Sequence, residues 1–117
     1  MKNDKTPLHP SNYVSLIQNN KIRLENVSDD LISAVKDLGA REDRLDSKLV
    51  WILPFTNKTE LTELLSRLNK LDFLFVGQPY GWPPAEIFAN LVEKNILKEK
   101  FREITWVEQN KWVIRER

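Results

Sequence analysis

One stretch near the middle of the chain has a clear helical pattern and lies between two apolar segments. Its leucines recur at i, i+3, i+4 and i+7, and they are Leu61, Leu64, Leu65 and Leu68. Asn57, with Glu60 three residues later, indicates where this helix begins. The flanking segments, residues 49–53 and 73–76, are apolar without alternation, as strands in a helix-covered sheet are. The pattern predicts a βαβ unit with parallel strands and a right-handed crossover.

A helix and a strand are predicted near the N terminus. Ser11 is a typical N-cap residue, and Tyr13, Val14 and Ile17 then give a short apolar stripe. Residues 21–25 alternate between polar and apolar, which indicates a half-buried strand near a sheet edge.

A second helix is predicted from Ser28 to the residue before Gly39. Asp29 and Asp30 place negative charge at the positive end of the helix dipole, and Gly39 is a typical left-handed terminator. Its apolar stripe consists of Leu31, Ile32, Val35 and Leu38. In residues 40–48, by contrast, seven of nine residues are polar and both charge signs are mixed, so this segment is predicted to be a solvated loop.

The last third of the chain predicts a loop, a helix and a hairpin. Residues 77–84 contain three prolines and two glycines, so they form neither helix nor strand, and Pro84 can begin the next helix. The apolar face of that helix consists of Ile87, Phe88, Leu91 and Val92.

The hairpin register follows from the apolar residues at the C terminus. A three-residue loop, 108–110, with Asn110 in the left-handed region pairs Trp106 with Trp112. Ile104 then faces Ile114, and all four apolar side chains share one buried face. Glu103 and Arg115 oppose each other on the other face.

These elements predict a single compact α/β domain over residues 11–117, preceded by a flexible arm of residues 1–10. The sheet is mixed, with a central parallel βαβ unit and a C-terminal antiparallel hairpin, and the helices pack on it in two or three layers. The expected order is α-β-α-β-α-β-α-β-β.

Composition narrows the possible chemistry. The chain has 117 residues, the usual size of one domain, with no cysteine and one histidine, His9. Disulfides, thiolate metal sites, cysteine nucleophiles and histidine metal clusters are therefore excluded. His9 lies beside prolines without an orienting partner, and the three glycines match no phosphate-binding loop. We predict no catalytic residue, no cofactor and no metal.

The charges are nearly balanced over the whole chain. Eighteen basic and 17 acidic residues give a net charge of +1, which does not indicate nucleic acid or an anionic membrane as a partner. No apolar run approaches the roughly 18 residues of a membrane-spanning helix, and the charged start is unlike a signal peptide, so we expect the cytoplasm. Residues 94–117 hold seven basic and four acidic residues, which keeps a nucleic-acid-binding module as the alternative function.

The loop 77–84 is the strongest candidate for a binding site. It follows the carboxyl end of a predicted parallel strand, where open α/β sheets place their ligands. Gln78 belongs to this loop, and Tyr80 and Trp82 are held there on a stiff backbone, which suits interface anchors. A turn whose rings pack on the core is the alternative. The charged residues expected to join this partner-binding surface and steer association are Arg41, Glu42, Asp43 and Arg44.

These observations favour a protein-binding function. The expected form is a small bacterial inhibitor or immunity-type protein that neutralises a toxin or an enzyme by direct contact. Two other classes stay open: the nucleic-acid-binding module on the basic C-terminal helix and hairpin, and an enzyme with its site around Phe55, Gln78 and Tyr80.

Overall fold

Seven strands form one mixed sheet with three helices in the computed structural model, which describes residues 10–77, 83–108 and 111–117. The strands are β1 (Tyr13–Gln18), β2 (Lys21–Glu25), β3 (Arg41–Leu45), β4 (Lys48–Pro54), β5 (Leu74–Val76), β6 (Arg102–Glu108) and β7 (Lys111–Glu116). The helices are α1 (Asp29–Leu38), α2 (Lys58–Lys70) and α3 (Pro84–Glu93). The sheet order is β3-β4-β2-β1-β5-β6-β7. The predicted α/β class, mixed sheet and antiparallel C-terminal hairpin are confirmed.

The two strands joined by α2 run in the same direction, as predicted. β4 is antiparallel to β2, β2 is antiparallel to β1, and β1 is parallel to β5, so β4 and β5 are parallel. They are not neighbours, because β2 and β1 lie between them. The adjacent parallel pair joined by a helix is β5 with β6, through α3.

The three helices lie on one face of the sheet, so the protein has two layers. Val35 of α1, Leu65 of α2 and Phe88 of α3 belong to one buried cluster with Val14 and Phe75 of the sheet. Neighbouring strand residues point the other way and form a smaller cluster on the second face, made of Tyr13, Leu74, Val76 and Ile104. The predicted core residues are at most 7% exposed: Leu64, Leu68, Trp51, Leu53, Phe73 and Phe75.

The predicted N-terminal helix is wrong, because its residues form β1. Tyr13 and Val14 are both buried although they point to opposite faces, so the strand lacks the simple alternation that would reveal it. Asn19 and Asn20, with φ of 54° and 60°, form a two-residue turn from β1 to β2. β2 is consequently an interior strand between β4 and β1, and its predicted place near an edge is also wrong.

The predicted loop over residues 40–48 is wrong as well. β3 forms there, and it is one edge of the sheet. Asp46 and Ser47, with φ of 51° and 67°, make a tight turn into β4. Every residue of β3 is exposed, so no hydrophobic alternation marks it as a strand. Arg41, Glu42, Asp43 and Arg44 are therefore edge-strand residues.

The ends of the helices follow the sequence closely. Gly39 ends α1 with φ of 110°, the Asn57 side chain accepts the Glu60 N–H, and Pro84 is the first residue of α3. Ser28 is the N-cap of α1, but its hydroxyl makes no cap hydrogen bond to the helix. The hydroxyl instead accepts a hydrogen bond from the Asn12 side-chain amide at 3.1 Å, and Asn12 Oδ1 accepts the Ser28 N–H at 2.7 Å.

Candidate protein-binding surface

The C-terminal hairpin exposes apolar side chains on both of its faces. Val107, Val113 and Ile114 are 61%, 50% and 46% exposed, and Trp106 and Trp112 beside them are half-buried. We call these five residues the hairpin surface. Aromatic anchors next to exposed aliphatic residues, at the edge of a rigid sheet, have the composition of a protein-binding patch.

The hairpin register brings the two tryptophans and Ile114 together on one face, whereas Val113 points to the other face. Trp106 pairs with Trp112 and Ile104 with Ile114, as predicted. The predicted three-residue loop is wrong, because Glu108 lies in β6 opposite Lys111 and a register shift between Trp106 and Glu108 restores the tryptophan pair. Asn110 lies outside the described residues.

The two tryptophans lie on the face of the sheet opposite the helix layer. Both pack against the smaller cluster, and the Trp106 ring makes an edge contact with Tyr13 at 5.8 Å between centroids. Ile104 is buried as predicted, but Ile114 is nearly half exposed, so the predicted burial of that whole face is wrong. The sequence does not reveal this, because the exposure depends on all three described helices packing on the other face.

Ion pairs balance the charges around the hairpin. Arg115 contacts Glu103 at 2.7 Å, and Lys111 lies 3.5 Å from Glu108. Arg117 contacts both Glu86 at 2.8 Å and Glu103 at 3.2 Å. The hydrogen bond to Glu86, together with the charges of both glutamates, raises the pKa of Arg117 against the opposing effect of burial. The hairpin therefore presents mixed, paired charges.

The structure places the four predicted charged residues far from β5, the strand that leads to Gly77. β3 is four strand positions from β5, which corresponds to about 19 Å at the usual spacing. Gln78, Tyr80 and Trp82 lie outside the described residues, so only the start of that loop, Gly77, is seen. Arg41 and Asp43 point to the face without helices, because they pair with Ile52 and Val50, and Glu42 points to the helix side opposite Trp51.

Three of these charged residues border a groove beside β3. It is an open depression of about 410 Å³, lined by Lys21, Arg41, Glu42, Asp43, Ile52 and Pro54. A neighbouring depression of about 250 Å³ shares Lys21, Asp43 and Ile52 with it. The predicted charged residues are thus exposed along a surface depression.

An ionic cluster surrounds the buried carboxylate of Glu25 on the face without helices. Glu25 accepts hydrogen bonds from Tyr13 at 3.1 Å and Lys48 at 2.8 Å, and it lies 3.2 Å from Arg23. Burial alone would raise the pKa of Glu25, but the hydrogen bond and charge of Lys48, with the charge of Arg23, lower the pKa overall.

The same contacts fix the protonation of the partners. Burial, then the negative charge of Glu25, raises the pKa of the Tyr13 hydroxyl. The hydrogen bond to Glu25 raises the pKa of Lys48. At neutral pH, Tyr13 is protonated, Lys48 is charged and Glu25 is ionised, so none of them is tuned for proton transfer near pH 7. The hydrogen bonds and charge pairs of this cluster join β1, β2 and β4, and this structural role explains the cluster.

Among the described residues, no group of three or more acidic, histidine or cysteine side chains is arranged to hold a metal ion. None of the three helices there is both long and apolar enough to cross a lipid bilayer. Comparison with models of protein families, with curated proteins and with solved structures found no match for this chain.

Proposed function

We propose that this chain binds another protein through the hairpin surface, and that it is a small inhibitor or immunity-type protein that neutralises a toxin or an enzyme. The supporting observation is the exposed cluster of Val107, Val113 and Ile114 beside two half-buried tryptophans. Scattered exposed apolar residues are common, but here they are concentrated on one edge hairpin, with Ile114 and the tryptophans on the face without helices and Val113 on the opposite face, so a partner that covers the edge can contact both groups.

The rigidity of the hairpin also favours binding. Trp106 and Trp112 are paired across two antiparallel strands, and Trp106 packs on Tyr13, so the rings are ordered before a partner arrives. Preordered aromatic side chains lose little conformational entropy on association. The charged side chains at the rim, Lys111 and Arg115, then contribute to specificity and to the association rate.

The nucleic-acid alternative receives less support from the geometry. Affinity for nucleic acid depends on cations available to phosphates. Of the predicted basic residues, Lys111, Arg115 and Arg117 pair with glutamates, and Arg102 donates to the Asp72 carbonyl at 2.8 Å. Four of the seven basic residues of 94–117 are thus engaged within the protein, and a surface of partly compensated charges around apolar residues fits a protein partner better. We propose the cytoplasm as the place where this partner is met.

The experiment begins with a photoreactive amino acid at Val113 in the full chain, expressed in its own host. A matched chain carries it at Ile96, which is 47% exposed and lies after α3 rather than on the hairpin. We expect one protein to be captured at Val113 and not at Ile96. The purified partner should lose its activity when the chain is added.

Affinity measurements then test the surface itself. Trp112→Ala should weaken binding by about 2 kcal/mol or more, roughly thirtyfold, as at an interface hot spot. Val113→Asp should weaken binding and Ile96→Asp should not, although the two positions are 50% and 47% exposed. Tyr80→Ala and Trp82→Ala test the predicted loop in the same assay. Unchanged affinity in folded Trp112→Ala and Val113→Asp variants would contradict the proposal.

A further inference from the structure

The two edges of the sheet are strands of very different character. β3 is wholly exposed and charged at four of its five positions, whereas β7 carries three apolar residues between charged ones. Edge strands offer unpaired backbone N–H and C=O groups to any strand of compatible shape, and side-chain charges decide which strands are compatible. The charges of β3 are arranged so that they complement a second copy of the same strand.

The pairing with β4 shows which backbone groups of β3 point outward. Residues that flank a two-residue turn form a hydrogen-bonded pair, here Leu45 with Lys48, and bonded and non-bonded pairs alternate from there. Asp43 and Arg41 therefore bond to β4, and Glu42 and Arg44 direct their backbone groups away from it.

Two observed hydrogen bonds agree with this assignment. The N–H of Phe55, which directly follows β4, donates to the Asn20 carbonyl at 3.0 Å. The odd-numbered residues of β4 therefore hydrogen-bond to β2, and its even-numbered residues hydrogen-bond to β3. The Asp43 carboxylate accepts the Arg44 N–H at 2.8 Å, so that N–H is directed away from β4.

We propose that β3 pairs antiparallel with β3 of a second copy of this chain, about a twofold axis through Asp43. In this register Glu42 lies opposite Arg44 of the second copy, and Arg44 lies opposite its Glu42. Both are hydrogen-bonded pairs on one face of a sheet that continues from one copy into the other. Opposite charges facing each other across strands stabilise such pairing.

The same reasoning disfavours self-pairing of β7. Phe101 and Arg117 exchange backbone hydrogen bonds, so the outward groups of β7 belong to Trp112, Ile114 and Glu116. A twofold axis through Val113 would place Lys111 opposite Arg115, and one through Ile114 would place Lys111 opposite Arg117. Like charges face each other in both registers, which leaves β7 and the hairpin surface to a different partner.

Asp43 limits the strength of the β3 interface. In the proposed register the two Asp43 side chains face each other on the twofold axis, with Arg41 on the same face. Each Asp43 carboxylate also accepts the Arg44 N–H of its own chain, and in the dimer that N–H must donate to the second copy instead. A five-residue strand pair buries less surface than a standard stable interface, so the dimer is weak and depends on concentration.

Analytical ultracentrifugation of the full chain tests the dimer over a concentration series that reaches about 1 mM, the range of weak complexes. Glu42→Arg and Arg44→Glu should each raise the dimer Kd about tenfold, since each places like charges opposite each other twice. The double variant Glu42→Arg, Arg44→Glu should restore the wild-type Kd. Asp43→Asn should lower it. Lys58→Glu, on the exposed surface of α2, makes the same charge change as Arg44→Glu and should have no effect.

A disulfide provides a second measurement, because the chain has no cysteine of its own. Asp43→Cys should form a covalent dimer under mild oxidation, since the two side chains face each other, and Arg41→Cys should not. A monomeric Asp43→Asn variant at the highest concentration would overturn the proposal. So would a dimer that is insensitive to the single charge reversals, or one that the double variant fails to restore. The side chains of β3 are exposed, so these substitutions should leave the core intact. Circular dichroism should therefore show that every variant folds.

Discussion

Gly77 is the position where one added methyl group should test the packing most sharply. It directly follows β5, and its N–H donates to the Ile104 carbonyl at 2.9 Å. A Cβ atom there would lie only 2.5 Å from Cδ and 2.6 Å from Cγ of Glu103, closer than real Cβ contacts come. The backbone of Gly77 is not in the left-handed region, so the cost of Gly77→Ala comes from this overlap alone.

The Glu103 side chain has little freedom to move away. It is 4% exposed and is held by Arg115 at 2.7 Å and Arg117 at 3.2 Å. Overpacking costs about 1–3 kcal/mol, and breaking a buried ion pair costs about 3–5 kcal/mol. Arg115 is largely exposed, so we expect Gly77→Ala to lower the free energy of unfolding by about 2–3 kcal/mol. For a domain of this size, this corresponds to a Tm lower by about 10 °C.

A double-mutant cycle in urea, followed by tryptophan fluorescence, measures the effect. In a Glu103→Ala background the methyl group meets no carboxylate, so Gly77→Ala should cost less there by about 1–2 kcal/mol. Gly39→Ala is the matched control. It is strained by its φ of 110° but meets only Leu53 at 3.7 Å, so its cost should be the same in both backgrounds. An equal cost of Gly77→Ala in both backgrounds would refute this account.

Two further predictions concern the core and the ionic cluster. Leu64→Ala should cost about 2–5 kcal/mol in the same unfolding assay, while exposed Glu63→Ala should cost almost nothing, and equal losses would contradict the packing of α2. The lowered pKa of Glu25 stabilises the fold at neutral pH, and this contribution is lost as the pH falls below the ordinary glutamate value of about 4.3. The free energy of unfolding should therefore fall less steeply with decreasing pH in Glu25→Gln than in the wild type. An unchanged pH dependence would show that other carboxylates cause the acid sensitivity.

Elements that are determined by residues close together in the sequence can be predicted from it. α2 is predictable because Asn57 caps it and its leucines recur at helical spacing. The pairing of Trp106 with Trp112 is predictable because both rings must reach one face, and the irregularity near Val107 adjusts the strand to that requirement. The turn geometry is less constrained than the register, so the predicted loop was wrong while the register was confirmed.

Elements that depend on distant partners are not predictable in this way. β3 has no buried side chain, so its strand character comes only from backbone pairing with β4. Strand order is likewise a long-range property, and it separates Arg41 from the end of β5 although both were expected at one site. The exposure of Ile114 depends on which face the helices cover, which its own sequence neighbourhood does not encode.

The contrast between the two edges follows from this architecture. Since the described helices cover one face, association can use the other face and the edges. At β3, the charged side chains disfavour pairing with most strands. They allow pairing with a strand whose charges are complementary. At β7 the apolar residues gain from burial, and the like charges of Lys111 and Arg115 disfavour a second copy. The two proposals therefore place self-association and binding of another protein at opposite edges of one sheet, where one can proceed without blocking the other.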